Sequence, residues 1–100
     1  MPRFVLTKAA KEDLKSIGRY TAETWGREQR NRYLGLLDTS MHDLADNPRL
    51  GRDCSEIRAG YRRYRVGKHI LFYRQLDPDR IEIVRILHER MDVEARLSGS

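Results

Sequence analysis

Ionisable side chains crowd the point near the end of the chain where an aliphatic run stops. The run, residues 81–87, holds five aliphatic side chains, most of them β-branched, which is typical of a strand covered on both faces. We therefore expect a central strand there. Chemistry or partner contacts are expected where such a strand leaves its sheet, and the candidate residues are Arg85, His88, Glu89, Arg90, Met91 and Asp92.

RNA cleavage is one enzymatic reaction for which the chain holds candidate residues. It needs a base for a 2′-hydroxyl, an acid for the leaving oxygen and fixed positive charge on the phosphate. The candidates are His88 for proton transfer and Arg63 with Arg65 for the charge. In a regular strand, however, Arg85 and His88 point to opposite faces, since their separation is odd. Neither of the other histidines completes an obvious pair, so closing a strand end is the simpler role for His88.

Positive charge is concentrated in one part of the chain. The net charge is +5, and residues 57–74 hold six basic residues and no acidic one, so the remainder sums to −1. Such a local excess attracts nucleic acid or an acidic protein segment. A solvated sheet face kept soluble by arginines is the alternative.

The composition indicates one small globular domain. The chain has 100 residues, which is enough for a single core but too few for an enzyme with a cofactor domain of its own. Charged residues make up 35% of the chain. Cys54 is the single cysteine, so an internal disulfide and a Cys/His metal cluster are excluded, and we interpret it as incidental. No run approaches the ~20 apolar residues of a membrane span. We expect a cytoplasmic protein without metal or cofactor.

Two helices are predicted in the first half of the chain. A short strand, Arg3 to Leu6, leads to Thr7 as the N-cap of a helix of about eighteen residues that stops at Gly26. A second helix follows and ends before Pro48, so the two form an antiparallel hairpin. Their apolar stripes are Ala10, Leu14, Ile17, Thr21 and Trp25 on the first and Tyr33 or Leu34, Leu37, Met41 and Leu44 on the second. Ordinary packing is the expected role of Trp25 and Tyr33.

The second half predicts a sheet. After a loop at residues 49–55, two strands joined by Gly67-Lys68 form a hairpin with Val66 opposite His69. One face of this hairpin, with Tyr64, Val66, Leu71 and Tyr73, is expected to pack on the helices, and the other interleaves arginines with Tyr61, Ile70 and Phe72. A turn at residues 76–80 returns the chain antiparallel into the 81–87 strand, and Asp92 caps a short helix over residues 91–97. We thus predict one α+β domain at residues 1–97, a helical hairpin on a small antiparallel sheet (β-α-α-β-β-β), with a flexible tail at 98–100.

Several segments together resemble one protein family. Residues 85–92, Arg-Ile-Leu-His-Glu-Arg-Met-Asp, look like the C-terminal signature of the ParE toxins, the gyrase-directed branch of the RelE/ParE toxin superfamily. Residues 7–14, residues 44–48 with Gly51, and residues 61–67 through 72–74 fall in the order found in that family. The resemblance spans residues 4–97 and agrees with the predicted fold.

The resemblance implies a toxin that inhibits DNA gyrase by direct binding, meets DNA only indirectly, and is neutralised by a ParD-like antitoxin with an acidic tail. The candidates for target inhibition are Arg85, His88, Glu89, Arg90, Met91 and Asp92. The candidates for antitoxin binding are Arg58, Tyr61, Arg63, Arg65, Phe72 and Arg74. RelE-like toxins, which share the fold, cut messenger RNA on the ribosome, so that activity is the alternative. A binding module without toxicity is a third interpretation.

Overall fold

The structure, a computed structural model, describes residues 3–90. Within them the chain forms two helices and five strands. Their bounds are β1 at Arg3–Leu6, α1 at Lys8–Trp25, α2 at Arg27–Asp46, β2 at Arg52–Asp53, β3 at Tyr61–Val66, β4 at His69–Asp77 and β5 at Arg80–His88, with a 3₁₀ turn at Pro48–Leu50. The helix predicted for residues 91–97 and the tail at 98–100 lie outside the described residues.

Both predicted helices are present, with the predicted ends. The Thr7 hydroxyl accepts a hydrogen bond from the Ala10 amide (3.0 Å), which satisfies one of the free donors at a helix start. Gly26, with φ of 93°, turns the chain from α1 directly into α2. Asn47 follows α2 immediately before proline. Across residues 3–90, neither helix combines the length and the apolar character needed to span a membrane.

The apolar stripe predicted along α1 is correct only for its first part. Ala10 and Ile17 are buried, whereas Trp25 is 71% exposed. The buried residues of α1 all lie before residue 19, so the periodic pattern continues beyond the part of the helix that packs. The prediction of ordinary packing is therefore wrong for Trp25. Tyr33 is half-buried and packs against the core.

The five strands form one sheet in the order β1-β5-β4-β3-β2. β5 is therefore an inner strand, as its aliphatic run predicts. The β3–β4 hairpin has the predicted register throughout, from Tyr61 opposite Arg74 to Val66 opposite His69. Gly67 opens its turn with φ of 58°, a conformation that side chains other than glycine rarely adopt.

Two features of the sheet differ from the prediction. β1 runs parallel to β5, so the sheet is mixed rather than wholly antiparallel. No local pattern in a four-residue strand specifies a partner at the other end of the chain. β2 lies within the predicted loop at residues 49–55 and pairs with Arg62 and Arg63; a two-residue strand is too short to show a periodicity.

Each face of the sheet carries a core. The near face, which we define as the face packed on α1 and α2, buries Val66, Leu71 and Tyr73 of the hairpin together with Ile83 and Ile86 of β5, and Tyr64 packs against them partly buried. The far face, on the opposite side, carries a smaller core of Cys54, Phe72 and Leu87. β5 is thus covered on both faces, as predicted. Burial raises the pKa of the Cys54 thiol, which disfavours the reactive thiolate and agrees with an incidental role.

A buried tyrosine anchors the segment between α2 and β3. The Tyr73 hydroxyl donates to the Pro48 carbonyl (2.6 Å) and accepts the Gly51 amide (2.9 Å). The Arg62 guanidinium donates to the Gly51 carbonyl (2.8 Å). These bonds hold the segment against the end of the near-face core.

Candidate functional site

A β-bulge in β5 shapes the end of the chain that carries the candidate residues. The pairing with β4 steps from Tyr73 opposite Ile83 to Phe72 opposite Arg85, which leaves Val84 as an extra residue. A bulge interrupts the hydrogen-bond ladder, so its backbone groups need other partners.

Two side chains at the start of α1 supply those partners. The Thr7 hydroxyl donates to the Val84 carbonyl (2.7 Å), and the Asp13 carboxylate accepts the Ile86 amide (2.9 Å). The same carboxylate accepts two hydrogen bonds, of 2.8 and 2.9 Å, from the Arg85 guanidinium, and this contact raises the pKa of Arg85. Arg85 therefore fastens the bulge to α1, which gives this candidate residue a structural role.

Beyond the bulge the pairing of β5 with β4 is regular, with Arg85 opposite Phe72 and His88 opposite His69. Phe72 lies on the far face, whereas His69 is opposite Val66 of the near face. The register therefore agrees with the prediction that Arg85 and His88 belong to opposite faces. The Arg85 guanidinium nevertheless reaches the Asp13 carboxylate, which also accepts the Ile86 amide.

His88 has a histidine partner that sequence reasoning missed. His69 lies directly opposite His88 on β4, with ring centroids 5.4 Å apart and an angle of 84° between the ring planes. Tyr33 of α2 completes the group, since its hydroxyl lies 2.6 Å from Nδ1 of His69. That hydroxyl also accepts the Lys68 amide (3.2 Å) and lies 3.2 Å from the Val66 carbonyl. A cluster of three titratable side chains thus stands where β5 ends.

Further contacts hold the first residues after β5. The Glu89 amide donates to the Lys68 carbonyl (2.9 Å), and the Glu89 carboxylate forms an ion pair with Arg65. The Arg90 amide donates to Nδ1 of His88 (3.1 Å). The β3–β4 turn therefore holds the chain as it leaves the sheet.

Burial is the largest cause that lowers the pKa of His69 below its usual 6.5, and the charge of His88 lowers it further, although Asp13 and Glu89 act in the opposite direction. The folded protein consequently favours the neutral ring of His69. Burial also raises the pKa of Tyr33, so its hydroxyl stays protonated and able to donate.

Acid is expected to destabilise the protein through His69. Because its pKa is lower in the folded state, the unfolded chain binds more protons as the pH falls through 6.5, and the free energy of unfolding decreases there. Urea denaturation at about pH 7.5 and about pH 5.5 measures the loss. His69→Asn should show a smaller loss of stability than the wild type between these two pH values. An equal loss in His69→Asn would show that another group is responsible.

The three residues of the RNA-cleavage hypothesis are not brought together. Arg63 is opposite Phe72 and shares the far face with it, whereas His88 lies on the near face. β4 also separates β3 from β5, which puts their backbones roughly 10 Å apart. Arg65 approaches the end of β5 through its ion pair with Glu89.

Phe72 is not the exposed aromatic anchor that we expected for antitoxin binding. Phe72 has no exposed surface and packs with Cys54 and Leu87. Residues from the connection before β3, Cys54 and Ile57, cover it. The expectation that Phe72 is available on this surface is therefore corrected, because the sequence showed no covering element over residues 54–60.

The other antitoxin candidates form a charged surface. The Arg58 guanidinium lies 5.9 Å from the ring centroid of Tyr61, within reach of a cation–π contact. Arg63 is half-buried. Arg74 pairs with Glu82 (2.9 Å) and keeps 48% of its side chain exposed. Arg65, described above, is also exposed, so charge rather than apolar area characterises this surface.

Within residues 3–90, no three His, Cys, Asp or Glu side chains are grouped so that they could hold a metal ion. Met91 and Asp92, the last two target candidates, lie outside the described residues.

The His69–His88 pairing had a signal in the sequence. Counting outward from the two-residue turn Pro78-Asp79, as in a regular hairpin, puts His69 opposite His88. The observed ladder contains an extra residue on each strand, Leu76 on β4 and Val84 on β5, and the two shifts cancel. Extending the hairpin would therefore have found the pair.

Comparison with known proteins identifies the family. The family described as "ParE toxin of type II toxin-antitoxin system, parDE" matches residues 4–93. Toxin ParE1 of Mycobacterium tuberculosis is 44% identical over 95 residues, which cover 95% of this chain and 97% of that protein.

Two solved structures have the same fold. A chain of the chromosomal ParDE system from P. aeruginosa superposes with a TM-score of 0.72 at 19% identity, covering 88% of this chain and 96% of that one. A chain of the toxin–antitoxin complex RelBE2 from M. tuberculosis gives 0.63 at 25% identity, covering 88% and 99%. With the match over residues 4–93, these findings establish that the chain belongs to the ParE toxin family of type II toxin–antitoxin systems.

Proposed function

We propose that this protein is a toxin that inhibits DNA gyrase by direct binding and that a ParD-like antitoxin neutralises it. The observation that carries the proposal is the family match over residues 4–93. Gyrase works on DNA in the cytoplasm, so the proposal places the toxin there. It meets DNA only through gyrase, and its inhibition requires contact rather than chemistry on the target.

The proposed surface for gyrase is the segment from Arg85 to Asp92. Within this segment, Arg85 forms an ion pair with Asp13. We therefore propose that Arg85 supports the segment and does not itself contact gyrase. Glu89 and Arg90 follow the end of β5, where the β3–β4 turn fixes the direction of the chain. Arg90 is exposed and is the described residue best placed to reach a large partner.

The proposed surface for the antitoxin is the charged far face around Arg58, Arg63, Arg65 and Arg74. The guanidinium groups there, of which only that of Arg63 belongs to a half-buried residue, suit an acidic segment that folds on binding. The solved relatives include a toxin–antitoxin complex and a ParDE system, which supports a partner of this kind. Without Phe72 as an anchor, we expect binding to weaken strongly with salt.

Plasmid supercoiling by purified gyrase tests the proposal. Rising amounts of the antitoxin-free protein should stop supercoiling and leave linear DNA after detergent and protease. Arg90→Ala combined with Met91→Ala should abolish inhibition while the antitoxin still binds, and Arg32→Ala, an exposed arginine on α2, should inhibit like the wild type. Unaffected gyrase in the presence of folded wild-type protein would refute the proposed target.

One observation favours ribosome-dependent RNA cleavage as the second candidate. The adjacent His69 and His88 rings, with the Tyr33 hydroxyl 2.6 Å from His69, offer a pair of groups able to give and take protons. Incubation with translating ribosomes and messenger RNA tests it. Cleavage by the wild type that is lost in His88→Ala would support this candidate over gyrase inhibition.

A further inference from the structure

Tyr33 connects α2 to the point where the chain leaves β5. Its hydroxyl lies within 3.2 Å of three groups on the β3–β4 hairpin, the Val66 carbonyl, the Lys68 amide and Nδ1 of His69. The Lys68 carbonyl in turn accepts the Glu89 amide. One phenol therefore fixes the turn to which the residue after β5 is hydrogen-bonded.

The turn is shaped to admit this phenol. A Cβ atom on Gly67 would lie 2.8 Å from both Cε1 and the hydroxyl oxygen of Tyr33, a separation too short for van der Waals contact. The positive φ of Gly67 provides the turn, and its missing side chain provides the space. The close approach of Tyr33 is thus part of how the hairpin is built.

His69 adds a second route to the same residues. Its Nδ1 faces Tyr33, and its ring meets the ring of His88. Nδ1 of His88 then accepts the Arg90 amide. The two routes, through Lys68 to Glu89 and through His69 to Arg90, begin at a single hydroxyl on α2.

We propose that Tyr33 and His69 are positioning residues, which hold residues 88–90 in the direction that the gyrase-binding segment needs. We call the contacts of Tyr33 and His69 with the β3–β4 turn and with residues 88–90 the clamp. The inference rests on the proposed function, because it assigns the clamp to the segment proposed to bind gyrase. It adds two residues, one on α2 and one on β4, to a site otherwise confined to the end of the chain. Neither needs to touch gyrase.

Amide hydrogen exchange tests the clamp without reference to any target. Tyr33→Phe should speed exchange of the Glu89 and Arg90 amides about tenfold, because one hydroxyl that serves both routes is lost. Exchange at Ile83, in the middle of β5, should stay close to that of the wild type. Tyr20→Phe, which removes an exposed hydroxyl from α1, is the matched control and should change neither. Unchanged exchange at Glu89 and Arg90, or equal acceleration at Ile83, would overturn the assignment.

Gyrase inhibition tests whether the clamp serves function. Tyr33→Phe and His69→Leu should each raise the concentration for half-inhibition about tenfold. His69→Asn should restore inhibition to within about twofold of the wild type, since an amide can replace Nδ1 as the partner of Tyr33. The two variants are compared where urea denaturation shows both to be fully folded, so that a difference in stability alone would not separate them, and equal inhibition by the two would overturn the positioning role.

The two measurements separate the possible failures. If the wild type does not inhibit gyrase, the proposed function fails and hydrogen exchange still decides whether Tyr33 holds residues 88–90. If the wild type inhibits gyrase and Tyr33→Phe inhibits equally well, the positioning role fails while the proposed function stands.

Discussion

Replacing Asp13 by alanine is expected to lower the free energy of unfolding by about 3 kcal/mol, the largest effect we expect of a single polar side chain here. The carboxylate accepts two bonds from Arg85 and one from the Ile86 amide. Its removal leaves a guanidinium and a backbone donor without their partner. The side chains of Asp13 and Arg85 are only 14% and 21% exposed, so water replaces the lost bonds incompletely. Urea denaturation at neutral pH measures the change.

A double-mutant cycle separates the ion pair from the support of the bulge. Arg85→Met in the Asp13→Ala background should recover part of the loss, because no uncompensated charge is left near the core. Asp13→Asn should cost less than Asp13→Ala, since its amide oxygen can still accept the Ile86 amide. Asp38→Ala, an exposed aspartate on α2, should change stability by less than about 0.5 kcal/mol. A comparable loss in that control would contradict a special role for Asp13.

Gly51→Ala is expected to cost about 2–4 kcal/mol through a steric clash beneath the near-face core. A Cβ atom there would lie 2.7 Å from Cε1 of Tyr73 and 2.8 Å from the Arg63 carbonyl oxygen, and it would also overlap the Tyr73 hydroxyl. The φ of Gly51 is −78°, so the cost comes from the lack of space and not from the backbone conformation. Thermal or urea denaturation measures it.

Gly35→Ala is the matched control for that substitution. Gly35 lies within α2, and a Cβ atom there would meet nothing within 4 Å, so alanine should stabilise the protein by about 0.5–1 kcal/mol. Tyr73→Phe should itself cost about 1–3 kcal/mol, because the Pro48 carbonyl and the Gly51 amide lose their shared partner. In that background Gly51→Ala should cost less than alone. Strictly additive losses would argue against the clash with the hydroxyl.

Local sequence rules predicted the parts of the fold that neighbouring residues determine. Thr7 and Gly26 mark the ends of α1 through hydrogen bonding and a positive φ, both of which depend on the residues themselves. Gly67 likewise determined the hairpin register. Trp25 shows where such rules stop, because helical periodicity does not tell how far the underlying core extends.

The position of the candidate site along the chain stays a prediction, and the sequence did not predict how its residues are connected. The connections that organise it link distant residues, such as Asp13 with Arg85 and Tyr33 with His69. A bulge at Val84 reverses the side-chain alternation beyond it, and no residue type marks that insertion. Phe72 is covered by a segment without regular structure, for which hydrophobic periodicity gives no prediction.

The parallel pairing of β1 with β5 has a consequence for synthesis of the protein. Of the strands in residues 3–90, β1 is synthesised first and β5 last, yet they are neighbours in the sheet. Contacts so distant along the chain form late and slow folding. A nascent chain has no strand to pair with β1, and no partner for the Asp13 carboxylate, until β5 emerges. On the proposed function, a toxin chain cannot inhibit gyrase before β5 and the residues up to Asp92 have left the ribosome.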